Sequence, residues 1–319
     1  MLKEDLVLGR EGGEGGGLFA GIQSLGVDDQ ENVWILDLKD IKVRIFDKTG
    51  RTLSEFGKKW AGPNELQRPN RMIVMGDGTA MIMDAVLNKI AFFTRDGRCL
   101  KELPTTQLRA FQMIAADRGF LYLGTQEIND TQGILRITRC GQDLKAIHLM
   151  TECLVPRTMG AIKLFMSRLL FQATGDGRLI WALSNAYEFT ILDAEGRTMR
   201  KIIKDYNPRK IDTAEEKRLL EENFKGAPAN IKIETSSAYP PLQSFIADEE
   251  GRIYARTYEM DGPNRTWVDV FDKDGRYISR VAFPEGERPF LVKNEKLYTI
   301  LDEDEEGRPL VKRYAMTWK

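Results

Sequence analysis

The chain has few of the residues that build most metal and redox sites. Its 319 residues include one histidine and three cysteines. Cys99, Cys140 and Cys153 form no Cys-x-x-Cys pair and leave one thiol over, which argues against a disulfide scaffold or a structural zinc site. His148 sits within the apolar run Ile147-His148-Leu149, which favours a structural strand position over a catalytic one.

The sequence also lacks an excess of charge and a long apolar segment. Lysine plus arginine number 47 against 48 for aspartate plus glutamate, so no global field selects nucleic acid or an anionic membrane. No stretch approaches the roughly 18 consecutive apolar residues that a transmembrane helix needs. The start, Met1-Leu2-Lys3-Glu4-Asp5, has acids where a signal peptide has a basic end and an apolar core. A soluble chain without a transmembrane segment is expected.

What the sequence does contain is a repeated phrase, in which a large apolar residue is followed by three turn residues and then Gly-Arg. Each copy ends an apolar run that is typical of a β-strand. The copies recur at a spacing near the length of a propeller blade, once insertions are allowed for. They are Phe46–Arg51, Phe93–Arg98, Leu192–Arg197 and Phe271–Arg276, with a degenerate copy at Ile137–Gln142.

A second marker precedes these phrases, a Gly- or Asp-rich turn followed by an apolar and aromatic run, and it occurs six times. Each unit is therefore predicted to run strand, turn, strand, strand, Gly-Arg turn, strand. Four-stranded sheets repeated radially are propeller blades. The sequence predicts an all-β fold, a six-bladed β-propeller of four-stranded antiparallel blades in a single domain, 1–319. The predicted blades are 22–56, 70–103, 110–149, 167–203, 243–283 and 288–319.

The last predicted blade contains only three strands. The N-terminal strand, at about 3–10, is expected to complete it, which closes the ring and leaves no unpaired edge there. The Gly-Arg arginines follow the turn into the outermost strand, so we expect them at the rim of the disc.

One segment, 204–242, breaks the repeat and is predicted to be a helical insertion between blades 4 and 5. Thr213-Ala214-Glu215-Glu216 matches a capping box, and Gly226 is a predicted C-cap, so a helix over about 213–225 is expected. Its apolar stripe consists of Leu219, Leu220 and Phe224. The insertion is either a clip that packs over an apolar patch or a lid or partner contact.

These phrases resemble the NHL-repeat propellers, and more closely the bacterial proteins described as six-bladed β-propellers. The resemblance rests on Asn32–Asp37, on the linker residues Phe56-Gly57 and Gly62-Pro63, and on Tyr239-Pro240-Pro241 leading into Ala247–Arg252. It implies a propeller over nearly the whole chain and leaves the activity open, because its members range from binding scaffolds to a few lyases and lactonases. Export is also implied, to the periplasm or cell surface with the signal segment absent from this chain; a cytoplasmic location stays open.

Ligands of propellers gather at the channel ends, so the starts of the inner strands are the predicted site. Alignment of the six units places Ser24, Arg71, Gln112, Leu170, Ser244 and Arg288 there, with Arg168 nearby. The three arginines are expected to converge on one channel mouth, where the fork of guanidinium donors suits a carboxylate or phosphate. The alternative is that each arginine pairs with an acid of a neighbouring loop.

The enzymes that the resemblance suggests need residues that this chain has little of. Lyase-like chemistry depends on several histidines. Lactonase-like chemistry resembles a calcium site built from several oxygen ligands, and the aligned ring offers no carboxylate. Asp37 and Asp84 recur at equivalent positions, yet they are expected to cap strand turns.

We therefore expect a non-catalytic binding or scaffold protein, without metal or cofactor, that presents an arginine-containing channel mouth to a protein, peptide or anionic saccharide. The alternative is a metal-dependent enzyme of the lactonase or lyase type, with calcium as its cofactor. Nucleic acid is not expected as a partner, because basic residues such as Arg136 and Lys145 are diluted by neighbouring acids such as Asp143.

Overall fold

The computed structural model describes residues 1–10, 18–59, 62, 65–106, 108–116, 119–129, 131–156, 161–226 and 232–318. Pro63 of the predicted linker therefore lies outside the described residues. Within them, the chain forms 26 strands and one α-helix. None of the described helical residues forms a helix long and apolar enough to cross a membrane.

Six four-stranded sheets confirm the prediction of a six-bladed β-propeller. Each of the first five blades is formed by four strands that are consecutive in its sheet and in the chain. The blades, from inner to outer strand, are β2 (Ile22–Val27), β3 (Val33–Asp37), β4 (Lys42–Phe46) and β5 (Thr52–Phe56); β6 (Pro69–Val74), β7 (Thr79–Asp84), β8 (Lys89–Thr94) and β9 (Cys99–Pro104); β10 (Ala110–Ala115), β11 (Leu121–Ile128), β12 (Gln132–Cys140) and β13 (Ala146–Pro156); β15 (Leu169–Ala173), β16 (Leu179–Leu183), β17 (Glu188–Leu192) and β18 (Thr198–Ile203); and β20 (Ser244–Ala247), β21 (Ile253–Met260), β22 (Arg265–Phe271) and β23 (Tyr277–Pro284). The third blade continues to residue 156, beyond the expected end at 149.

The N-terminal strand completes the sixth blade. That sheet consists of β24 (Glu287–Lys293), β25 (Lys296–Leu301), β26 (Leu310–Met316) and β1 (Leu2–Leu8). β1 pairs antiparallel with β26, and Asp5 Oδ1 accepts a hydrogen bond from Arg313 Nε at 2.8 Å. The edge of β26 is therefore covered, as the sequence predicts.

Two compact units can be distinguished in the chain. The first unit comprises 1–123, 140–145 and 284–319, and the second comprises 124–139 and 146–283. The first unit contains blades 1, 2 and 6, and the second contains blades 4 and 5 with the insertion, whereas the third blade is divided between them. Trp34, Phe46 and Tyr298 are fully buried in the first unit, and Phe189 in the second.

The repeated Gly-Arg phrase forms the turn between the third and fourth strands of its blade. In the first copy, Asp47 Oδ1 accepts the backbone N–H of Arg51 at 3.0 Å, and Gly50 has a φ of 96°. A positive φ of this kind is readily adopted by glycine. The arginine N–H donates in the same way to Thr94 Oγ1, Asp193 Oδ1 and Asp272 Oδ1 in the other three copies. The phrase is thus a turn signal.

The insertion forms helix α1 (Thr213–Phe224), in agreement with the predicted range of about 213–225, but its N-cap differs from the prediction. Asp212, not Thr213, is the N-cap residue, and its side chain accepts the N–H of Glu215 at 2.9 Å. The predicted capping box is therefore wrong, because the neighbouring Asp212 supplies the acceptor. Gly226 has a φ of 83° directly after the C-cap Lys225, as expected of a helix end.

A short parallel sheet that the sequence did not indicate involves the insertion. β19 (Lys232–Glu234) pairs with β14 (Ala161–Lys163), which precedes the fourth blade. With only two strands of three residues, this sheet is not a seventh blade. Whether the insertion is a packing clip or a lid or partner contact stays a prediction.

Candidate functional site

The inner strands β24, β2, β6 and β10 lie side by side in the first unit. The pairing register supports the alignment made from sequence, because five of the six aligned residues face the same position of the second strand in their blades. The pairs are Ser24 with Leu36, Arg71 with Met83, Leu170 with Ala182, Ser244 with Arg256 and Arg288 with Ile300. Arg71 and Arg288 therefore occupy equivalent positions on the two strands that flank β2.

Arg71 is half-buried on β6 and has no acidic partner. Its guanidinium makes no hydrogen bond or ion pair with any residue that the structure describes. Burial, and then the positive charge of Arg288, lower the pKa of Arg71 from its usual value. Since arginine stays protonated in proteins, the result is a partly desolvated cation close to a second cation.

Among the acids that the structure describes, Arg288 contacts Asp302, at a long distance. Its Nε lies 3.4 Å from Asp302 Oδ1, and the two side chains are 31% and 58% exposed. Exposed ion pairs of this kind contribute little. The guanidinium also lies 5.7 Å from the ring centroid of Phe290. The arginine is thus held over an aromatic ring with most of its donors open to a ligand.

The Ser24 hydroxyl is hydrogen-bonded to the neighbouring inner strand. It is buried and donates to the carbonyl of Met72 at 3.2 Å, while the Met72 N–H lies 3.3 Å from the same oxygen. Ser24 therefore joins β2 to β6. Gln112 lies half-buried on β10 and has contacts of its own.

Arg168 and Ser244 belong to the second unit, so the convergence of three arginines stays a prediction. Arg168 is exposed and directly precedes β15, and its Nη2 donates to the carbonyl of Gln243. Ser244, at the start of β20, is half-buried, and its hydroxyl has no hydrogen bond to a described residue.

Tyr258 is a candidate that the sequence did not indicate. Its strand is joined to Arg168 through Gln243, whose N–H donates to the Arg256 carbonyl at 2.9 Å and whose own carbonyl accepts from Arg168 Nη2. The charges of Arg168 and Arg256 act on the Tyr258 hydroxyl. Tyr258 lies two residues after Arg256 on β21, where the ladder with β22 is irregular. A β-bulge has no simple hydrophobic signature, so periodicity could not find this residue.

The residues considered for metal binding either have structural roles or do not belong to a group of metal ligands. Asp37 and Asp84 accept backbone hydrogen bonds at strand turns, as predicted. His148 is exposed on β13, and all three cysteines are free; burial raises the pKa of Cys140 to about 11. Among the described residues, no group of three or more His, Cys, Asp or Glu side chains could hold a metal ion.

No protein-family model matches the chain, and no curated protein matches it. Several solved structures are similar. A candidate exported protein from Bacteroides fragilis has a TM-score of 0.62 at 11% identity, with 99% of this chain and 96% of that chain covered. A DUF4221-family member from Bacteroides vulgatus has a TM-score of 0.56 at 12% identity, with 98% and 97% covered. A gluconolactonase from Xanthomonas campestris has a TM-score of 0.55 at 12% identity, with 93% and 86% covered.

Likeness at this level of identity shows the fold alone. It supports a six-bladed propeller along nearly the whole chain, in agreement with the six sheets. The neighbours include both an enzyme and a protein named only as exported, so the fold carries no single activity. The NHL-repeat assignment is not shown by any family model.

Proposed function

We propose that this protein is a non-catalytic binding propeller that receives an anionic group of its ligand at Arg71 and Arg288. The observation that supports this function is the half-buried guanidinium of Arg71, which has no acidic partner among the described residues and lies near a second arginine. The carboxylate of a peptide or of an anionic saccharide has the matching charge.

The two guanidinium groups are less favourably placed in the free protein than in a complex with an anion. Burying a charge without a partner costs free energy, and a like charge nearby adds to that cost. An anion that accepts hydrogen bonds from both guanidinium groups offsets both terms. Carboxylate and phosphate match the planar fork of arginine in a bidentate way, so the pair favours these groups over a simple halide.

The binding function can be tested by calorimetry with glucuronate, inorganic phosphate and an acidic peptide as probes. Arg71→Gln is expected to weaken binding of the best probe about tenfold or more, since a charge-assisted hydrogen bond is lost. Arg71→Lys keeps the charge but not the fork, so we expect an intermediate loss. Arg51→Gln, in an exposed turn, is the matched control. Equal affinity of wild type and Arg71→Gln for every probe would contradict the proposal.

A hydrolysis assay on the purified wild-type protein distinguishes binding from catalysis. Hydrolysis of a lactone that depends on added calcium and is lost with chelator would replace the binding proposal by the metal-dependent alternative. Probe binding that is indifferent to calcium, without turnover, supports the scaffold function.

For the location, we propose the periplasm or the cell surface. The support is the similarity to a Bacteroides fragilis protein that is named as exported. Cell fractionation of the source organism with an antibody against the chain tests this, and recovery only in the cytoplasmic fraction would contradict it.

A further inference from the structure

The second unit fixes the backbone of Arg168 at the start of its inner strand. The Arg168 N–H donates to Ser184 Oγ at 3.0 Å, and the Ser184 N–H donates to the carbonyl of Arg168 at 2.9 Å. The side chain reaches the carbonyl of Gln243 with Nη2, and its other donors have no hydrogen bond or ion pair among the described residues. One end of the fork is therefore anchored while the rest stays available.

A β-bulge carries Tyr258 out of the regular ladder nearby. Arg256 pairs with Val268 and Met260 pairs with Thr266, so three residues of β21 face the single residue Trp267. The irregular segment is fixed by Thr257, whose hydroxyl donates to the Trp267 carbonyl at 3.3 Å and accepts the N–H of Glu259 at 3.2 Å. Bulges commonly re-aim a side chain beside a functional site.

The ring of Tyr258 is held by two aromatic neighbours. It stacks on Tyr239 with centroids 4.6 Å apart, and Phe165 meets it edge-on at 5.7 Å. Tyr239 is itself held, because its hydroxyl donates to Glu215 Oε1 at 2.7 Å. Ordering of the Tyr258 side chain on ligand binding therefore costs little.

The hydroxyl of Tyr258 combines a free donor with positive surroundings. It makes no hydrogen bond with a described residue. Burial raises its pKa, while the charges of Arg168 and Arg256 act in the opposite direction, so the phenol stays protonated at neutral pH. Two acids described in this region have partners, since Glu215 binds Arg209 and Tyr239, and Glu259 pairs with Arg280.

We propose that Arg168 and the hydroxyl of Tyr258 form a second anion site, which takes a carboxylate or phosphate group between a guanidinium fork and a neutral phenol donor. The anion would accept one charge-assisted hydrogen bond from Arg168 and one from the Tyr258 O–H. The residues lie in the second unit, so this site does not depend on the binding function proposed for Arg71 and Arg288. A sugar acid and free inorganic phosphate share the required chemistry, and the experiment separates them.

The test reads Tyr258 directly by NMR of protein labelled with ¹³C at tyrosine Cζ. The chain has nine tyrosines, and the Tyr258 signal is assigned as the one absent from Tyr258→Phe. Titration with inorganic phosphate and, separately, with glucuronate is expected to shift this signal in a saturable way. The arm with the lower dissociation constant identifies the source of the anion. Tyr277, whose hydroxyl lies 3.4 Å from Asp269 Oδ1, is the internal control and should not move.

Variants decide whether the shift reports the proposed site. Arg168→Gln is expected to raise the dissociation constant at Tyr258 about tenfold or more. Arg51→Gln, in an exposed turn, should leave it unchanged. Two results would overturn the proposal. One is the absence of a saturable shift with either probe. The other is an unchanged dissociation constant in Arg168→Gln when the Tyr258 signal of the unliganded variant lies where it does in the wild type. Because this signal reports on Tyr258, a negative result here leaves the Arg71 experiment unaffected.

Discussion

Asp37 and Asp84 occupy equivalent positions in two successive blades and accept the same arrangement of four backbone amides. Each carboxylate is fully buried at the end of the second strand. For each carboxylate, two of the amides belong to the linker that enters the blade and two belong to the turn that follows the second strand. The donors are Ala20, Gly21, Lys39 and Asp40 for Asp37, at 2.8 to 3.3 Å, and Gln67, Arg68, Val86 and Leu87 for Asp84, at 2.6 to 3.0 Å.

Replacement of Asp84 should destabilise the fold more than its size suggests. Asp84→Ala leaves four amides without their acceptor, so we expect a loss of about 3 kcal/mol in the free energy of unfolding. Asp84→Asn keeps one acceptor oxygen and should lose less. Urea unfolding measures both. Asp77→Ala, in an exposed turn where the carboxylate serves only Thr79, is the control; a loss as large as that of Asp84→Ala would contradict the assigned role.

Ionisation of Asp28 is expected to make the free energy of unfolding depend on pH. Burial works against its charged form, but hydrogen bonds from Asn32, Trp34 and Gln30 lower the pKa of Asp28 below its usual value. A carboxylate with a lowered pKa in the folded state contributes its full stability above its pKa in the unfolded state, which is about 4. This contribution is lost as the pH falls through the lower, folded value.

The expected result is a difference between wild type and Asp28→Asn that is largest at neutral pH and shrinks below about pH 4. Fluorescence of the five tryptophans is a suitable probe of unfolding, and one of them, Trp34, has its Nε1 3.2 Å from Asp28 Oδ2. Asp205→Asn, at an exposed position, should give curves parallel to wild type. A difference between wild type and Asp28→Asn that does not change from pH 7 to pH 3 would show that Asp28 is not the titrating group.

Glu215 joins α1 to the two segments that flank the helix within the insertion. Glu215 Oε1 accepts from Tyr239 at 2.7 Å and from Arg209, whose guanidinium lies 4.9 Å from the Tyr239 ring centroid. Glu215→Ala should therefore loosen α1 without unfolding the blades. We expect the amides of α1 to exchange with solvent about tenfold faster or more. Exchange measured on β16 should not change.

Glu222→Ala is the matched control, because Glu222 lies on the same helix and pairs with Arg218 in solvent at 3.0 Å. If both variants accelerate the exchange equally, the stability of α1 does not depend on Glu215.

The blades could be predicted from the sequence because their turns are encoded locally. An acceptor side chain such as Asp47, a glycine with positive φ and the arginine N–H lie within five residues, so the phrase and its geometry go together. The role of β1 followed from a general need, since the edge of β26 would otherwise be unpaired. The sheet of β14 and β19 has three-residue strands, which are too short to show a period.

For the candidate site, the sequence predicted the positions of residues along their strands but not the contacts of their side chains. Counting along the strand placed Arg71 and Arg288 at equivalent positions, and the pairing agrees. Counting could not show that the Ser24 hydroxyl turns to the Met72 backbone, because that choice depends on the neighbouring blade. Tyr258 was missed since a bulge changes which way a side chain points without changing the composition.

Closure of the sixth blade by β1 is the feature whose loss should have the largest effect on solubility. Leu8, at the end of β1, is 1% exposed and packs in a cluster with Phe19, Phe46 and Val311. Leu8→Ala should lower the free energy of unfolding by about 3 kcal/mol, through lost burial and a residual cavity. Leu2→Ala, at the half-buried start of the same strand, should lose much less.

The consequence beyond stability follows from the hydrogen-bonding edge of β26. When β1 detaches, the carbonyls and amides that pair with it become available to another chain. We therefore expect Leu8→Ala to aggregate faster than wild type on mild warming, as measured by light scattering, and at a temperature below the unfolding of the other blades. The Asp84→Ala variant supplies the comparison, because it is destabilised by a similar amount while β1 stays in place. Aggregation of both variants at the same temperature would mean that general instability, not the exposed edge of β26, drives association.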